Sequence, residues 1–212
     1  MDILVVTAVE AERAAICASL PPGSSVRVVA AGVGPAAAAA GTAAELARSG
    51  ADVVLNAGIG GGFTGCAPGD LAVASSIVFA DLGAESAQGF VPMSELGFGA
   101  DRYQPAPKLA VELADRTGGR LGTIVTVATA TGSAQRADAL SRRFPDVVAE
   151  GMEGAGVAAA AERFGVAVAE IRAVSNAVGP RDREAWRIPE ALAALGRAVA
   201  AAVSETPSGA VR

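Results

Sequence analysis

The sequence predicts an α/β fold, with three layers and a central mixed sheet between helices. Three observations carry this. Short β-type apolar runs alternate with Ala-rich helical runs along the chain. The strand runs are mostly apolar and not alternating, as expected where both sheet faces are covered. Hydrophobic residues make up 51% of the 212 residues and charged residues 18%, enough for one core in one domain.

The elements follow in order. The first strand covers 2–7, through Ile3-Leu4-Val5-Val6, and lacks the basic flank of a secretory signal. A helix is expected at 10–20, opening on Glu10 and Glu12, acids that suit a helix N-terminus through the macrodipole. Strand 26–31 and helix 35–48 enclose a glycine turn, and strand 52–56 runs into a second glycine cluster. Strand 71–79 precedes the stretch 83–104, which holds Phe90, Met93, Phe98 and Tyr103 and reads as a long irregular excursion of a kind that is often functional. Helix 108–116, strand 121–127, helix 133–143, helix 153–164, strand 166–174 and helix 189–203 complete the pattern. No repeat or linker divides it, so one domain is expected over 1–205, with the polar 206–212 as a flexible tail.

Composition narrows the function. A net charge of −5 and a pI of about 4.8 argue against a generally basic nucleic-acid face. No run of about 18 apolar residues is free of charge or glycine, so no membrane span is expected. Two cysteines, Cys17 and Cys66, make neither a disulfide framework nor a zinc cluster, and a reduced cytoplasmic setting fits. The chain contains no histidine, which removes Ser-His-Asp and Cys-His nucleophiles and any imidazole metal site. Proton chemistry falls to carboxylates, with Tyr103 and Lys108 as minor candidates.

Two glycine clusters follow strands. Gly32-Val33-Gly34-Pro35-Ala36-Ala37 matches the G-x-G-x-x-A pattern of dinucleotide sites, but Asn56 stands where the ribose-binding acid should follow. A tight strand-to-helix turn is the alternative. Asn56-Ala57-Gly58-Ile59-Gly60-Gly61-Gly62 reads as a loop at the carboxyl end of a strand, where glycines permit positive φ and close approach to a ligand. Glu150-Gly151-Met152-Glu153-Gly154 places acids beside little side-chain bulk, and one ionised carboxylate can accept from two vicinal hydroxyls of a ribose. Ser175-Asn176 offers an amide to a planar base, and Arg181 and Arg183 offer cationic forks beyond it.

In this order the landmarks resemble the nucleoside phosphorylase superfamily. Ala8-Val9-Glu10-Ala11-Glu12, Gly32-Val33-Gly34, Asn56 to Gly61, Gly69-Asp70-Leu71-Ala72-Val73-Ala74, Phe144-Pro145, Gly151-Met152-Glu153-Gly154 and Arg172-Ala173-Val174-Ser175-Asn176 span nearly the whole chain. The nucleosidase branch acting on methylthioadenosine and S-adenosylhomocysteine is the nearest likeness, and most specifically the futalosine-hydrolysing subfamily.

The resemblance implies Glu12 as the base for water, Met152 and Glu153 at the ribose, and Ile59, Gly60 and Gly61 along the sugar and base. It places 128–131 near the base, without the aromatic that adenosine-type nucleosidases stack there. Asn176 stands where adenine-releasing members have Asp. An amide hydrogen-bonds to O6 or N7 but delivers no proton, which favours hypoxanthine. Asp182 is then a candidate acid. The substrate's aryl carboxylate needs a cation, with Arg102 the first choice, Arg181 the second, and the 83–104 excursion as its apolar slot. The resemblance also implies a purine nucleoside substrate, no cofactor, no metal, no nucleic acid or membrane partner, and a homo-oligomer. Phosphorolysis, action on methylthioadenosine or inosine, a dinucleotide-dependent oxidoreductase and non-catalytic purine binding are the competing readings.

Overall fold

The computed structural model describes residues 1–204; the expected tail lies outside the described residues. The elements are β1 Ile3–Thr7, α1 Glu10–Ser19, β2 Arg27–Ala30, α2 Pro35–Ser49, β3 Val53–Gly62, β4 Leu71–Phe79, β5 Gly83–Ser86, β6 Gly89–Pro92, α3 Met93–Leu96, β7 Arg102–Tyr103, α4 Pro107–Thr117, β8 Arg120–Thr126, α5 Ala134–Arg143, β9 Val147–Gly151, α6 Gly154–Phe164, β10 Ala167–Ala177 and α7 Ile188–Val203, with a 3₁₀ turn at Arg183–Ala185.

The sheet is mixed, as expected, with strand order β10-β4-β8-β9-β3-β1-β2. It also closes on itself. β3 pairs with β10 along one edge, and on the other edge it pairs first with β1 and then with β9. Register shifts in β4, β8–β9 and β10 accompany the closure, since bulges bend a strand and increase its twist.

Period-2 alternation splits the core between two faces. Leu4 and Val6 of β1 join Val54, Ile124 and Val157 on the α2–α6 side. Val5 joins Leu55, Ile171 and Leu195 against α1, α4 and α7. Each such fully buried side chain contributes roughly 1.5–3 kcal/mol. With few aromatics, α2 and α6 pack closely through small residues: a Cβ on Gly156 would strike the Pro35 carbonyl. α5 covers a third cluster with Leu140 over Phe63, Val125 and Val127.

Three expectations change. The glycine cluster after 52–56 is no loop: β3 continues to Gly62, and none of Gly58, Gly60, Gly61 or Gly62 has positive φ. These glycines serve close approach instead, since a Cβ on Gly60 would sit 2.5 Å from Glu150 O. β9, the strand that enters α6 through Glu150-Gly151, has no counterpart among the expected apolar runs. The 83–104 excursion carries a β5–β6 hairpin, the single-turn α3 and the short β7.

Candidate active site

On the shared edge of β3, β1 pairs with 53–56 and β9 with 61–62, which leaves 57–60 without a strand partner there. The carboxyl ends of β1 and β9 face each other across this gap. A cavity of about 280 Å³ opens at it, lined by residues from the ends of β1, β3, β9 and β10 and the turns beyond β2, β8 and β10. Nearly every predicted site residue is in its wall: Glu12, Ile59, Gly60, Gly61, Met152, Glu153, Ser175, Asn176 and Arg181.

Glu12 sits at the third position of α1 and is 3% exposed. Its Oε2 accepts the backbone N–H of Ala8 (2.9 Å) and Val9 (3.2 Å), which caps a helix whose N-cap, Val9, has no side-chain acceptor. Its Oε1 accepts the Ile59 N–H at 2.9 Å, in the gap of β3. Gly58 makes this approach possible, because a Cβ there would stand 2.9 Å from Oε1. Glu12 therefore caps α1 with one oxygen and stands in the cavity wall at the β3 gap with the other. Glu10, by contrast, is exposed and bonds Arg13 at 2.6 Å, an interaction that holds its carboxyl below the usual range.

Glu153, 5% exposed, accepts from Gly34 N (3.2 Å), Met152 N (3.3 Å) and Arg172 Nη1 (3.0 Å). The first glycine cluster thus directs an amide at a carboxylate of its own chain, which is the tight-turn alternative to the dinucleotide pattern. Behind Glu153 lies a polar chain that sequence reasoning leaves unassigned. Arg172 Nε donates to Glu170 Oε1 at 2.9 Å, and Asn56 Nδ2 donates to the same oxygen at 3.1 Å. Arg172 is 1% and Glu170 0% exposed. Burial works against the Arg172 cation, but the carboxylates of Glu170, Glu153 and Glu12 outweigh it and hold its pKa above the ordinary arginine value. Opposite charges two residues apart in an apolar run were the available signal, since buried charges need partners.

A β-bulge sets Asn176. The β10 register skips Ser175, so that Val174 pairs with Gly60 and Asn176 with Gly61. Ser175 Oγ donates to Asn176 Oδ1 at 2.8 Å, and Asn176 Nδ2 bonds Ala177 O at 2.9 Å. One amide hydrogen is left for a ligand. Across the cavity, buried Glu150 accepts from Thr131 N (2.8 Å) and Thr131 Oγ1 (2.5 Å). Burial pushes its carboxyl up, partly offset by those two bonds.

Two expected residues stand elsewhere. Asp182 is exposed and caps the 3₁₀ turn through Glu184 N at 3.2 Å, outside the cavity wall. Arg102 is carried off by β7, whose pairing with β4 sets Arg102 against Val78; its Nη1 donates to Ser76 Oγ at 2.8 Å. Arg181 remains, with its guanidinium 5.3 Å from the Trp186 ring. Trp186 also lines the cavity, a residue that no spacing in the sequence points to. Among the described residues, no group of three or more His, Cys, Asp or Glu gathers to hold a metal, and no helix is long and apolar enough to cross a membrane.

The family model of the phosphorylase superfamily matches residues 4–206. A futalosine hydrolase of Streptomyces coelicolor is 51% identical, with 94% of each chain covered, and one of Acidothermus cellulolyticus is 46% identical over 93% of this chain and 88% of its own. Among solved structures, futalosine hydrolase of Helicobacter pylori superposes with a TM-score of 0.82 at 20% identity, covering 96% of this chain and 97% of the other. The 5'-methylthioadenosine/S-adenosylhomocysteine nucleosidase of Neisseria meningitidis, in complex with methylthio-immucillin-A, gives 0.81 at 22% identity, with 95% and 98% covered. The chain belongs to the phosphorylase superfamily and, within it, to the futalosine hydrolase family.

Proposed function

We propose that this chain hydrolyses the N-glycosidic bond of futalosine, releasing hypoxanthine and dehypoxanthinyl futalosine for menaquinone biosynthesis. The carrying observation is the meeting of Glu12, Glu153 and Asn176 in the wall of one cavity in a chain 51% identical to a futalosine hydrolase. Cleavage passes through an oxocarbenium-like state, and three tasks follow. Glu12 takes the proton of a water that attacks C1′, which is worth about 10²–10⁴-fold. Glu153 accepts from the ribose hydroxyls beside Met152. The bonding pair leaves with the purine, and the free Asn176 amide hydrogen meets it at O6 or N7. A preorganised donor of this kind supplies about 2.7–4 kcal/mol. Arg181 and Trp186 form the cation and apolar face for the aryl carboxylate.

Phosphorolysis is the competing reaction. Among the described residues that line the cavity, Arg181 is the one cation, and Arg13 is paired with exposed Glu10. That is a poor cradle for phosphate, which favours multiple Arg and backbone donors. Cytoplasmic location and a homo-oligomer complete the reading, supported by free Cys17 and Cys66 and by Phe98, 83% exposed on the 83–104 excursion.

The test is base release from futalosine, inosine and methylthioadenosine side by side, with and without phosphate. Futalosine is expected to be cleaved fastest, with no phosphate requirement. Absence of hypoxanthine release, or strict dependence on phosphate, would overturn the reading.

A further inference from the structure

Glu170 and Arg172 stand two residues apart on β10, so their side chains leave the same face of the sheet. Both are buried where α6 begins. Three glycines make the room. A Cβ on Gly58 would stand 2.6 Å from Arg172 Nη1, one on Gly151 2.7 Å from Arg172 Cζ, and one on Gly154 2.5 Å from Glu170 Oε1. Gly151 and Gly154 bracket Met152-Glu153, so the turn that presents Glu153, the N-cap of α6, is seated on this ion pair. On the neighbouring strand Asn56 pairs with Glu170, and its amide bonds the oxygen that Arg172 Nε also holds.

Acceptor sites on Glu153 are scarce. Its Oε2 takes Met152 N and Arg172 Nη1, and its Oε1 takes Gly34 N. A carboxylate offers about four lone-pair sites, so with three taken one remains, on Oε1. Arginine and carboxylate favour a two-bond fork, which would use that site as well. Here the fork is not made: Glu170 holds Nε, and Nη1 alone bonds Glu153. We propose that Glu170 is a positioning residue for ribose binding: it draws Arg172 aside, so that the last acceptor site of Glu153 stays open to a ribose hydroxyl. The inference rests on the nucleosidase reading above and adds to it a residue that touches no substrate. Charge supports a role beyond packing. Arg172 already has Glu153 as its counter-ion, and a second buried carboxylate carries a desolvation penalty that one shared cation repays only in part.

The test is equilibrium binding of hypoxanthine and of carbocyclic inosine, which keeps the ribose hydroxyls but has a methylene for the ring oxygen and so resists hydrolysis. Glu170→Met removes the acceptor at similar length and leaves Arg172 balanced one to one by Glu153. It is expected to bind carbocyclic inosine roughly tenfold to a hundredfold more weakly, the range of a charge-assisted bond, with hypoxanthine unchanged. Glu170→Gln keeps an acceptor for Nε and is expected to bind both ligands like wild type. Asn56→Ala, which removes the amide from Glu170 Oε1, should shift the preference the same way by less, and serves if Glu170→Met does not fold. An unmoved preference in the folded variant, or an equal loss of both ligands, would mean that Glu170 only fills the space at the start of α6, and the inference falls. It falls equally if Glu170→Gln is as weak as Glu170→Met, since the Nε bond would then not be the cause. Base release from futalosine by the wild type reports separately on the nucleosidase reading. A shifted preference without release would sink that reading alone.

Discussion

Gly34 donates its backbone N–H to Glu153 Oε1 at 3.2 Å, across 119 residues of chain. Gly34 has φ 87° and ψ 162°, a combination open essentially to glycine alone. The turn before α2 therefore serves the carboxylate that opens α6, and those two helices pack together through small residues.

Gly34→Ala meets no atom within 4 Å, so its cost is conformational, about 1–3 kcal/mol. A melting temperature lower by about 2–12 °C is expected for a chain of this size. Relaxation of the turn should also withdraw the amide from Glu153. KM for the nucleoside should then rise while affinity for free hypoxanthine stays. An unchanged KM in a destabilised variant would show that the Gly34 bond does not position Glu153.

Glu12→Gln is expected to keep ligand binding and to lose at least about 10²-fold in turnover. The amide also sets an NH₂ against backbone donors, either Ile59 N or Ala8 and Val9 N, so a stability loss of about 1–3 kcal/mol should accompany it. Single-turnover rates and thermal melts separate the two effects. Near-normal hydrolysis would move the base to another group.

Glu153→Ala should weaken nucleosides far more than free hypoxanthine, since only the former carry ribose hydroxyls. It also leaves Arg172 with a buried charge short of a partner, a loss of about 3–5 kcal/mol. Calorimetric titration with inosine and hypoxanthine checks the first effect and denaturant melts the second. Equal weakening of both ligands would reduce Glu153 to a structural role.

The fold was legible where an apolar run ended at a turn signal, which is why β4 matches its expected span and β1 and the long helices nearly do. It failed where side chains carry no period. The end of β3 is glycine, and a glycine strand looks like a loop until its neighbours are known. β9 is short and ends in Glu150-Gly151, so its polar end masked it. Asn176 is singled out by its place at a strand end and Glu153 by the glycines around it, whereas Glu12 alone reads as a helix-capping acid and takes its role from the family resemblance. Arg102 and Asp182 needed the direction of a side chain, and that depends on β4 and on a 3₁₀ turn far from any local pattern.

Glu150 gives a pH signature in the unliganded protein. Burial is the main cause of its raised pKa, with Thr131 and Arg136 opposing and Asp81 adding to it. A carboxyl raised in the folded state favours folding below its unfolded value, near 4.5, and loses that contribution as pH rises through the folded value. Glu150→Gln does not titrate. Relative to wild type, the variant should therefore gain stability between a pH below 4.5 and neutral pH. Melts at the two pH values check this. Parallel stability curves would show that Glu150 titrates alike in both states.

The substrate's far end separates two arginines. Arg102 bonds Ser76 of β4 and its ring contact is Phe144, whereas Arg181 reaches the cavity wall beside Trp186. A charge-assisted pair with the aryl carboxylate is worth about 1.5–3 kcal/mol, or roughly tenfold to a hundredfold. Arg181→Ala should raise KM for futalosine by that range and leave inosine cleavage unchanged, because inosine has no tail. Arg102→Ala should leave the futalosine to inosine ratio as it is, with any loss appearing as stability. Trp186→Ala should follow Arg181→Ala in direction, since it removes the apolar face proposed for the aryl ring and the ring beside the guanidinium. If Arg102→Ala alone shifts the ratio, the tail runs toward β7, and the carboxylate assignment returns to the excursion at 83–104.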